Sequence, residues 1–89
     1  MSYDPPKPFF IDEFIVKVKT VTDQTYKIGV SSSTTVLQLK YKIESRIGLK
    51  PNEQALTFKG IAMQDSKKMS DYGVQAGDTI RLVMRGRGG

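Results

Sequence analysis

Apolar and polar residues alternate along two early segments of the chain. In FIVKVKT, residues 14–20, and TYKIGV, residues 25–30, every second residue is apolar, which is the period of a β-strand with one buried face. A short polar stretch containing Asp23 separates them, so the pattern predicts a β-hairpin. Asp23 stands where glycine would be easiest, but aspartate is among the residues that tolerate a positive φ angle.

The next segment has the spacing of an amphipathic helix. Hydroxyl residues of SSSTT precede apolar residues at i, i+3 and i+7, and such residues favour the start of a helix. This apolar stripe consists of Val36, Leu39 and Ile43, and charged side chains lie off it at Lys40, Lys42 and Glu44. Gly48 is suited to a left-handed helix cap, and Pro51 prevents the helix from resuming. We therefore expect a helix from Thr35 to Ile47.

The second half of the chain contains shorter segments. QALTF predicts a strand, Lys59-Gly60 a turn, and residues 61–63 a brief pairing. SKKMSDYGV is too irregular for a strand and predicts a tight helical turn that buries Met69 and Val74, after which TIRLVMR predicts a last strand. The first and last strands have the cleanest apolar faces, so we expect them to be central neighbours. The predicted fold class is α+β, with a mixed sheet of four to five strands and one helix packed across one face.

The two ends of the chain have a different composition from the middle. Residues 1–12 hold three of the four prolines and predict a flexible arm, residues 13–85 predict the folded domain, and residues 86–89 predict a flexible glycine-rich tail. The apolar cluster Phe9-Phe10-Ile11 has two interpretations: it covers the flank of the domain, or it binds a partner.

Composition excludes several functional classes. The chain has no cysteine and no histidine, so disulfides, a thiol nucleophile and an imidazole base are all absent. Because its nine carboxylates form no evident acid–base pair, we expect neither an enzyme nor a metal site. The net charge of +5 attracts acidic surfaces or nucleic acid. No segment reads as a secretory signal or a membrane span, which predicts a cytoplasmic or nuclear protein without membrane contact.

Several motifs in one register, from Phe14 to Gly89, resemble ubiquitin. They are FIVKVKT, TVLQLKYKIESRIGLKP, LTFKG, KMSDYGVQ and TIRLVMRGRGG. The chain is thus identified as a divergent member of the ubiquitin-like family, for which the resemblance implies the β-grasp fold. It also implies a protein modifier. An activating enzyme uses ATP to convert the C-terminal glycine carboxylate to an adenylate and then a thioester, before an isopeptide bond to a target lysine forms. ATP would be bound by that enzyme, so we expect no cofactor on this chain.

The resemblance assigns roles to the tail. Gly88 and Gly89 match the conjugated end, and Arg85 and Arg87 match the arginines that engage acidic groups on the enzymes. Glycine has no Cβ to obstruct a narrow catalytic channel, and residues 86–89 extend by roughly 13 Å. Gly86 replaces a leucine of ubiquitin, which puts cleavage by ordinary ubiquitin proteases in doubt.

The chain departs from ubiquitin on its recognition surface. The positions of the main apolar patch hold Val21, Thr57 and Val83, and a central threonine weakens that patch by about 1 kcal/mol. The lysine of degradative chains is replaced by Ile61, and another chain lysine by Ala76. We expect Val21, Thr57, Ile61 and Val83 to form a shifted partner-recognition surface. The lysines that fall on ubiquitin's lysine positions, and are therefore possible acceptors, are Lys19, Lys40 and Lys42.

Expected partners are activating and conjugating enzymes, deconjugating proteases and target proteins, with the chain itself a monomer. Three other functions remain open. The RGRGG tail with Lys17, Lys19 and Lys27 suits an RNA-binding ubiquitin-like domain of a splicing factor. A sulfur carrier also has a β-grasp domain and a terminal Gly-Gly. A non-covalent module of a larger protein is the third, although a chain from Met1 to Gly89 favours a complete unit.

Overall fold

The computed structural model describes residues 13–85. The predicted arm and tail, with Phe9, Phe10, Ile11, Arg87, Gly88 and Gly89, lie outside the described residues. The strands are β1 (Phe14–Thr20), β2 (Thr25–Val30), β3 (Gln54–Phe58), β4 (Ile61–Ala62) and β5 (Thr79–Met84), and the helix is α1 (Val36–Ile47). Two 3-10 turns, Pro51–Glu53 and Met69–Tyr72, complete the described elements.

The strands form one mixed sheet in the order β2-β1-β5-β3-β4. β1 and β5 are parallel neighbours at its centre, and the other pairs are antiparallel. The predicted α+β fold class, with a mixed sheet of four to five strands, and the central position of the first and last strands are therefore confirmed, and the strands number five in the described residues. One described helix crosses this sheet, and no helix among residues 13–85 combines the length and apolar character needed to cross a bilayer.

The core lies between α1 and the sheet. Apolar side chains at alternate strand positions contact the apolar stripe of α1 there. Met69 of the second 3-10 turn and the loop residues Met63 and Val74 complete the core. The buried apolar residues are Val16, Val18, Ile28, Val30, Val36, Leu39, Ile43, Leu56, Phe58, Met63, Met69, Val74, Ile80 and Leu82. Met69 and Val74 are buried at the predicted tight turn, so this part of the prediction is confirmed. Burial of this surface is the main stabilising term in a chain without disulfides.

Both ends of α1 follow from local chemistry. The Thr35 Oγ1 accepts a hydrogen bond from the Gln38 backbone N–H at 3.1 Å, and the Gln38 Oε1 accepts one from the Thr35 N–H at 2.9 Å. This reciprocal cap makes Thr35 the residue before the helix rather than its first residue, one position from the prediction. Gly48 ends the helix with φ 80°, as predicted.

The turns of the β1–β2 and β3–β4 hairpins both contain residues with a left-handed backbone. Asp23 has φ 68° in the β1–β2 turn, which confirms the prediction for that residue. Lys59 and Gly60 have φ angles of 53° and 81° and make the two-residue connection between β3 and β4. Positive φ at both positions matches the right-handed twist of a hairpin. The following strand ends at Ala62, one residue earlier than predicted, although the Met63 N–H still donates to the Leu56 carbonyl oxygen at 2.9 Å and the Met63 side chain is buried.

The sequence pattern places Lys40 off the buried stripe of the helix, and the structure shows that this assignment is wrong. It is only 7 % exposed, and its Nζ lies 2.7 Å from the Asp65 Oδ1. The Asp65 carbonyl oxygen also accepts from the Leu37 N–H at 3.1 Å, so the loop that carries this carboxylate is tied to the first turn of α1. The tertiary contact buries the lysine stem and supplies the counter-charge its ammonium requires.

Like charges face each other across the β1–β2 hairpin on the sheet surface that points away from α1, called here the outer face. Lys17 and Lys27 are directly opposed in the register of the two strands, and both are exposed. Among residues 13–85, no carboxylate lies within ion-pair distance of either ammonium group. Directly opposed like charges destabilise a sheet.

We predict that Asp65→Asn lowers the free energy of unfolding by about 1–2 kcal/mol, because the buried Lys40 ammonium loses its counter-charge. The value lies below that of a fully buried pair, since the Asp65 side chain is 53 % exposed. Asp23→Asn is the matched control. It removes the partner of Lys19 in an exposed pair at 3.5 Å and should cost under about 0.5 kcal/mol. Equal losses in urea titrations of the two variants would contradict the prediction.

We predict that Lys27→Glu raises the free energy of unfolding by about 0.5–1 kcal/mol at low ionic strength, because a repulsive cross-strand pair becomes attractive. The gain should shrink as salt is added. Lys67→Glu makes the same charge change on an exposed loop residue and should have a smaller effect. An identical gain in both variants would show that net charge, and not the pairing with Lys17, is responsible.

Candidate functional site

The sheet fixes the point at which the C-terminal tail begins. Met84 is the register partner of Gln54 at the end of β5, and the Arg85 backbone N–H donates to the Glu53 carbonyl oxygen at 2.7 Å. The Arg85 side chain is exposed. Hydrogen bonds to β3 and to Glu53 therefore fix the backbone as far as Arg85, the residue before Gly86. Of the predicted tail residues, Arg85 alone is described, and Arg87, Gly88 and Gly89 lie beyond residue 85.

Gln54 secures the start of β3 from inside the fold. Its side chain is fully buried, and its Nε2 donates to the carbonyl oxygens of Lys40 and Leu49 at 2.9 and 2.8 Å. These two bonds link β3 to α1 and to the segment that follows it. Because Gln54 also pairs with Met84, the internal amide supports the position from which the tail leaves.

Thr57 and Val83 lie on the outer face, as the strand alternation predicts. Thr57 is opposite Arg81 and Val83 is opposite Ala55, so the two residues are diagonal neighbours on adjacent strands. Diagonal neighbours are about 7–8 Å apart, within the reach of a single bound side chain. Val83 is 43 % exposed, and its cross-strand neighbours Ala55 and Thr57 have small side chains, so this part of the predicted recognition surface is shallow.

Ile61 and Val21 do not lie on the outer face with Thr57 and Val83. Ile61 is opposite Phe58, whose side chain is buried, whereas Ala62 is opposite Thr57. Ala62, and not Ile61, therefore continues the outer face from Thr57, and Ile61 is exposed at the edge of the sheet. Val21 is 68 % exposed in the β1–β2 turn. The four predicted recognition residues thus occupy three different places: the outer face, the sheet edge and the β1–β2 turn.

Val21 lies beside an apolar groove at the end of the sheet that carries the tail. The groove has a volume of about 330 Å³. It is lined by residues of the β1–β2 turn, the end of α1 and the end of β5: Thr20, Val21, Thr22, Gln24, Tyr26, Ile47, Leu49, Leu82 and Met84. Sequence reasoning missed Leu49 and Met84 here. Both residues could have been noticed in the sequence. Leu49 is an apolar residue directly after the Gly48 cap, and Met84 is an apolar residue two positions after Leu82, the last buried residue of β5.

The three predicted acceptor lysines have different surroundings. Lys42 is exposed on α1, and Lys19 is partly exposed and paired with Asp23. The Lys40 amine is buried against Asp65, so an acylating enzyme would first have to open that contact. Lys19 and Lys42 are therefore the accessible members of the set.

The described residues offer no evident catalytic or metal-binding cluster. No three His, Cys, Asp or Glu side chains within residues 13–85 are grouped as metal ligands. A second depression of about 410 Å³ beside α1 is lined by Leu37, Tyr41, Glu44, Lys50, Pro51, Asn52 and Asp65. The described residues supply grooves on the surface and a fixed point, Arg85, from which the tail begins.

Comparison with known proteins agrees with the fold. A model of the ubiquitin family matches residues 16–87. The ubiquitin-like protein NEDD8 of Dictyostelium discoideum is 33 % identical over 75 residues, which cover 84 % of this chain and 97 % of that protein. Ubiquitin-like protein 1 of Schizosaccharomyces pombe is 31 % identical over 75 residues, which cover 84 % of this chain and 96 % of that protein.

A longer relative is also similar. The large proline-rich protein bag6 of Xenopus tropicalis is 39 % identical over 70 residues, which cover 79 % of this chain but 6 % of that protein. Similar sequences therefore occur both as nearly whole proteins and as a small part of a large one. The matched family model covers most of the chain, and two relatives align along nearly their full length. With the five-strand sheet and its crossing helix, these matches show that the chain belongs to the ubiquitin family.

Proposed function

We propose that this chain is a ubiquitin-like protein modifier that is conjugated through the carboxylate of Gly89. The observation that carries the proposal is the anchored Arg85, followed by the sequence GRGG at residues 86–89. The similarity of this chain to NEDD8 and to ubiquitin-like protein 1, along nearly the full length of each, supports the same class of protein. A rigid domain with a slim, positively charged tail suits a substrate that is handed between enzymes.

The proposed chemistry takes place on the partners. The Gly89 carboxylate attacks the α-phosphorus of ATP, which forms an acyl adenylate and releases pyrophosphate. An enzyme cysteine thiolate then displaces AMP to give a thioester, and a lysine amine of the target displaces the thiol to give an isopeptide bond. In this scheme the chain is the group transferred and not the catalyst, and ATP is bound by the activating enzyme.

The tail and the apolar groove have separate parts in this proposal. Arg85 and Arg87 guide the chain by pairing with carboxylates of the activating enzyme, since guanidinium groups bind carboxylates in a bidentate manner. The groove beside Val21 and Met84, together with Thr57 and Val83, offers apolar contact to conjugating enzymes or proteases. Lys19 and Lys42 are the proposed sites at which a second modifier is attached.

The bag6 match favours a second candidate, a ubiquitin-like domain that acts without conjugation. In that protein the similar segment is a small part of the length. A non-covalent domain needs its surfaces but not a free glycine carboxylate. The two candidates therefore differ in whether Gly89 is required.

We predict that removal of Gly89 abolishes thioester formation with ATP and an activating enzyme from the same source. The reason is that the reacting carboxylate is displaced by one residue from the enzyme cysteine. Denaturing gels with and without a thiol reductant measure the adduct, and unchanged thermal unfolding shows that the domain remains folded. A full-length chain that forms no adduct with an enzyme active on its own substrates would favour the non-covalent candidate.

We predict that Arg85→Glu combined with Arg87→Glu lowers kcat/KM for activation about tenfold. This corresponds to the loss of one or two charge-assisted hydrogen bonds to enzyme carboxylates. Lys42→Glu combined with Lys67→Glu changes the net charge equally on exposed side chains away from the tail. If this control slows activation as much, long-range attraction rather than contact with the tail arginines is responsible.

A further inference from the structure

Four cationic side chains lie together on the outer face of the sheet. The register places Lys17 opposite Lys27 and Lys19 opposite Arg81 on three adjacent strands. The alternate residues of the same strands, including Val16, Val18 and Ile80, are buried on the helix side. We call the set Lys17, Lys19, Lys27 and Arg81 the basic face.

The charge of the basic face is largely uncompensated by the described part of the chain. Asp23 pairs with Lys19 at 3.5 Å, but residues 13–85 place no carboxylate within 4.0 Å of the charged groups of Lys17, Lys27 or Arg81. A carboxylate oxygen of Glu13 lies over Gly29, at the far end of the hairpin. Such crowding of like charges costs stability, and an anionic partner would relieve that repulsion.

Apolar side chains border the basic face on the same surface. Ile15, two residues before Lys17 in β1, is 49 % exposed, and Val83, two residues after Arg81 in β5, is 43 % exposed. Gly29 is the register partner of Ile15 and has no side chain of its own, so the Ile15 side chain and a Glu13 carboxylate oxygen lie over it. The surface therefore combines a central positive charge with apolar contacts at two sides.

The spacing suits a carboxylate-bearing strand. Cations two residues apart on one strand are separated by about 6.6 Å, and those on neighbouring strands by about 4.8 Å. Carboxylates on one side of an extended peptide repeat at the same 6.6 Å, so alternate acidic residues are matched to Lys17 and Lys19. Apolar residues on that same side of the peptide, two positions from a carboxylate, would then contact Ile15 or Val83.

The aromatic residues favour a protein over a single-stranded nucleic acid as the partner. Single-strand binders stack bases on exposed aromatic rings. Among the described residues, Phe14, Tyr26 and Tyr72 pack against the core, Phe58 is buried, and Tyr41 is exposed on α1. None of them offers a stacking platform on the basic face.

We propose that the basic face is a non-covalent docking surface for an extended, acidic and apolar segment of a partner protein. The interaction uses the folded domain alone, so it does not depend on conjugation through Gly89. It would allow a reader protein to recognise the chain whether it is free or attached to a target.

The test uses the full-length chain and a fluorescent peptide in which Val, Glu, Glu and Val stand at alternate positions and serine fills the positions between them, so that all four side chains share one side of the extended peptide. Fluorescence anisotropy at low ionic strength measures Kd, with the same peptide carrying Gln in place of Glu and oligothymidylate as competing probes. Lys17→Gln combined with Lys27→Gln should weaken binding of the acidic peptide about fivefold, as expected for the loss of two exposed ion pairs. Lys50→Gln combined with Lys67→Gln, two exposed residues outside the basic face, is the control of equal charge, and its Kd should remain that of the unsubstituted chain.

Further readouts locate the contact. Amide chemical-shift changes on peptide addition should centre on β1, β2 and β5, and added salt should weaken binding. The chain without Gly89 should bind equally well, which separates this result from failure of the modifier function. The proposal is overturned by equal loss in the two double variants or by no preference for Glu over Gln. Tighter binding of oligothymidylate that depends on Lys17 and Lys27 would overturn it too and would assign the surface to nucleic acid.

Discussion

The parallel pairing of β1 with β5 is the contact on which the other features of this structure depend. It places the first and last strands of the domain side by side, with Lys17 opposite Thr79 and Thr20 opposite Leu82. Parallel neighbours need a long crossover connection, and here α1 and the shorter elements supply it. The same pairing buries Val18 and Ile80 under the helix and leaves Lys19 and Arg81 on the outer face. One register thus creates both the core and the basic face.

The pairing also explains why the tail starts where it does. β5 lies between β1 and β3; its pairing with β1 ends at Leu82, and its last residues are held by β3, where the Arg85 N–H donates to the Glu53 carbonyl oxygen. A chain end that leaves a central strand is better fixed than one that leaves an edge strand. In the proposed function, this fixed origin limits the distance between the domain and the carboxylate of Gly89 to the reach of residues 86–89, roughly 13 Å.

Stability and surface chemistry oppose each other in this domain. The buried apolar residues and the Lys40–Asp65 pair stabilise the two layers, whereas the opposed Lys17 and Lys27 work against the hairpin. A small domain has little free energy to spare, so an unfavourable surface pair is a sizeable fraction of the total. The repulsion is therefore informative about binding, and an acidic partner is the simplest physical complement to it.

The sequence by itself determined the elements and their buried faces, because strand and helix periods are local and each turn carries its own chemistry, as at Asp23, Thr35 and Gly48. Similarity in one register then fixed the family. Only the tertiary structure decided that Lys40 is buried, because its counter-charge comes from Asp65 in a distant loop. It also separated Ile61 from Thr57 and gathered the basic face, because strand register brings together residues far apart in the chain. Local pattern specifies which way a side chain points along its own element, and only packing between elements specifies what it meets.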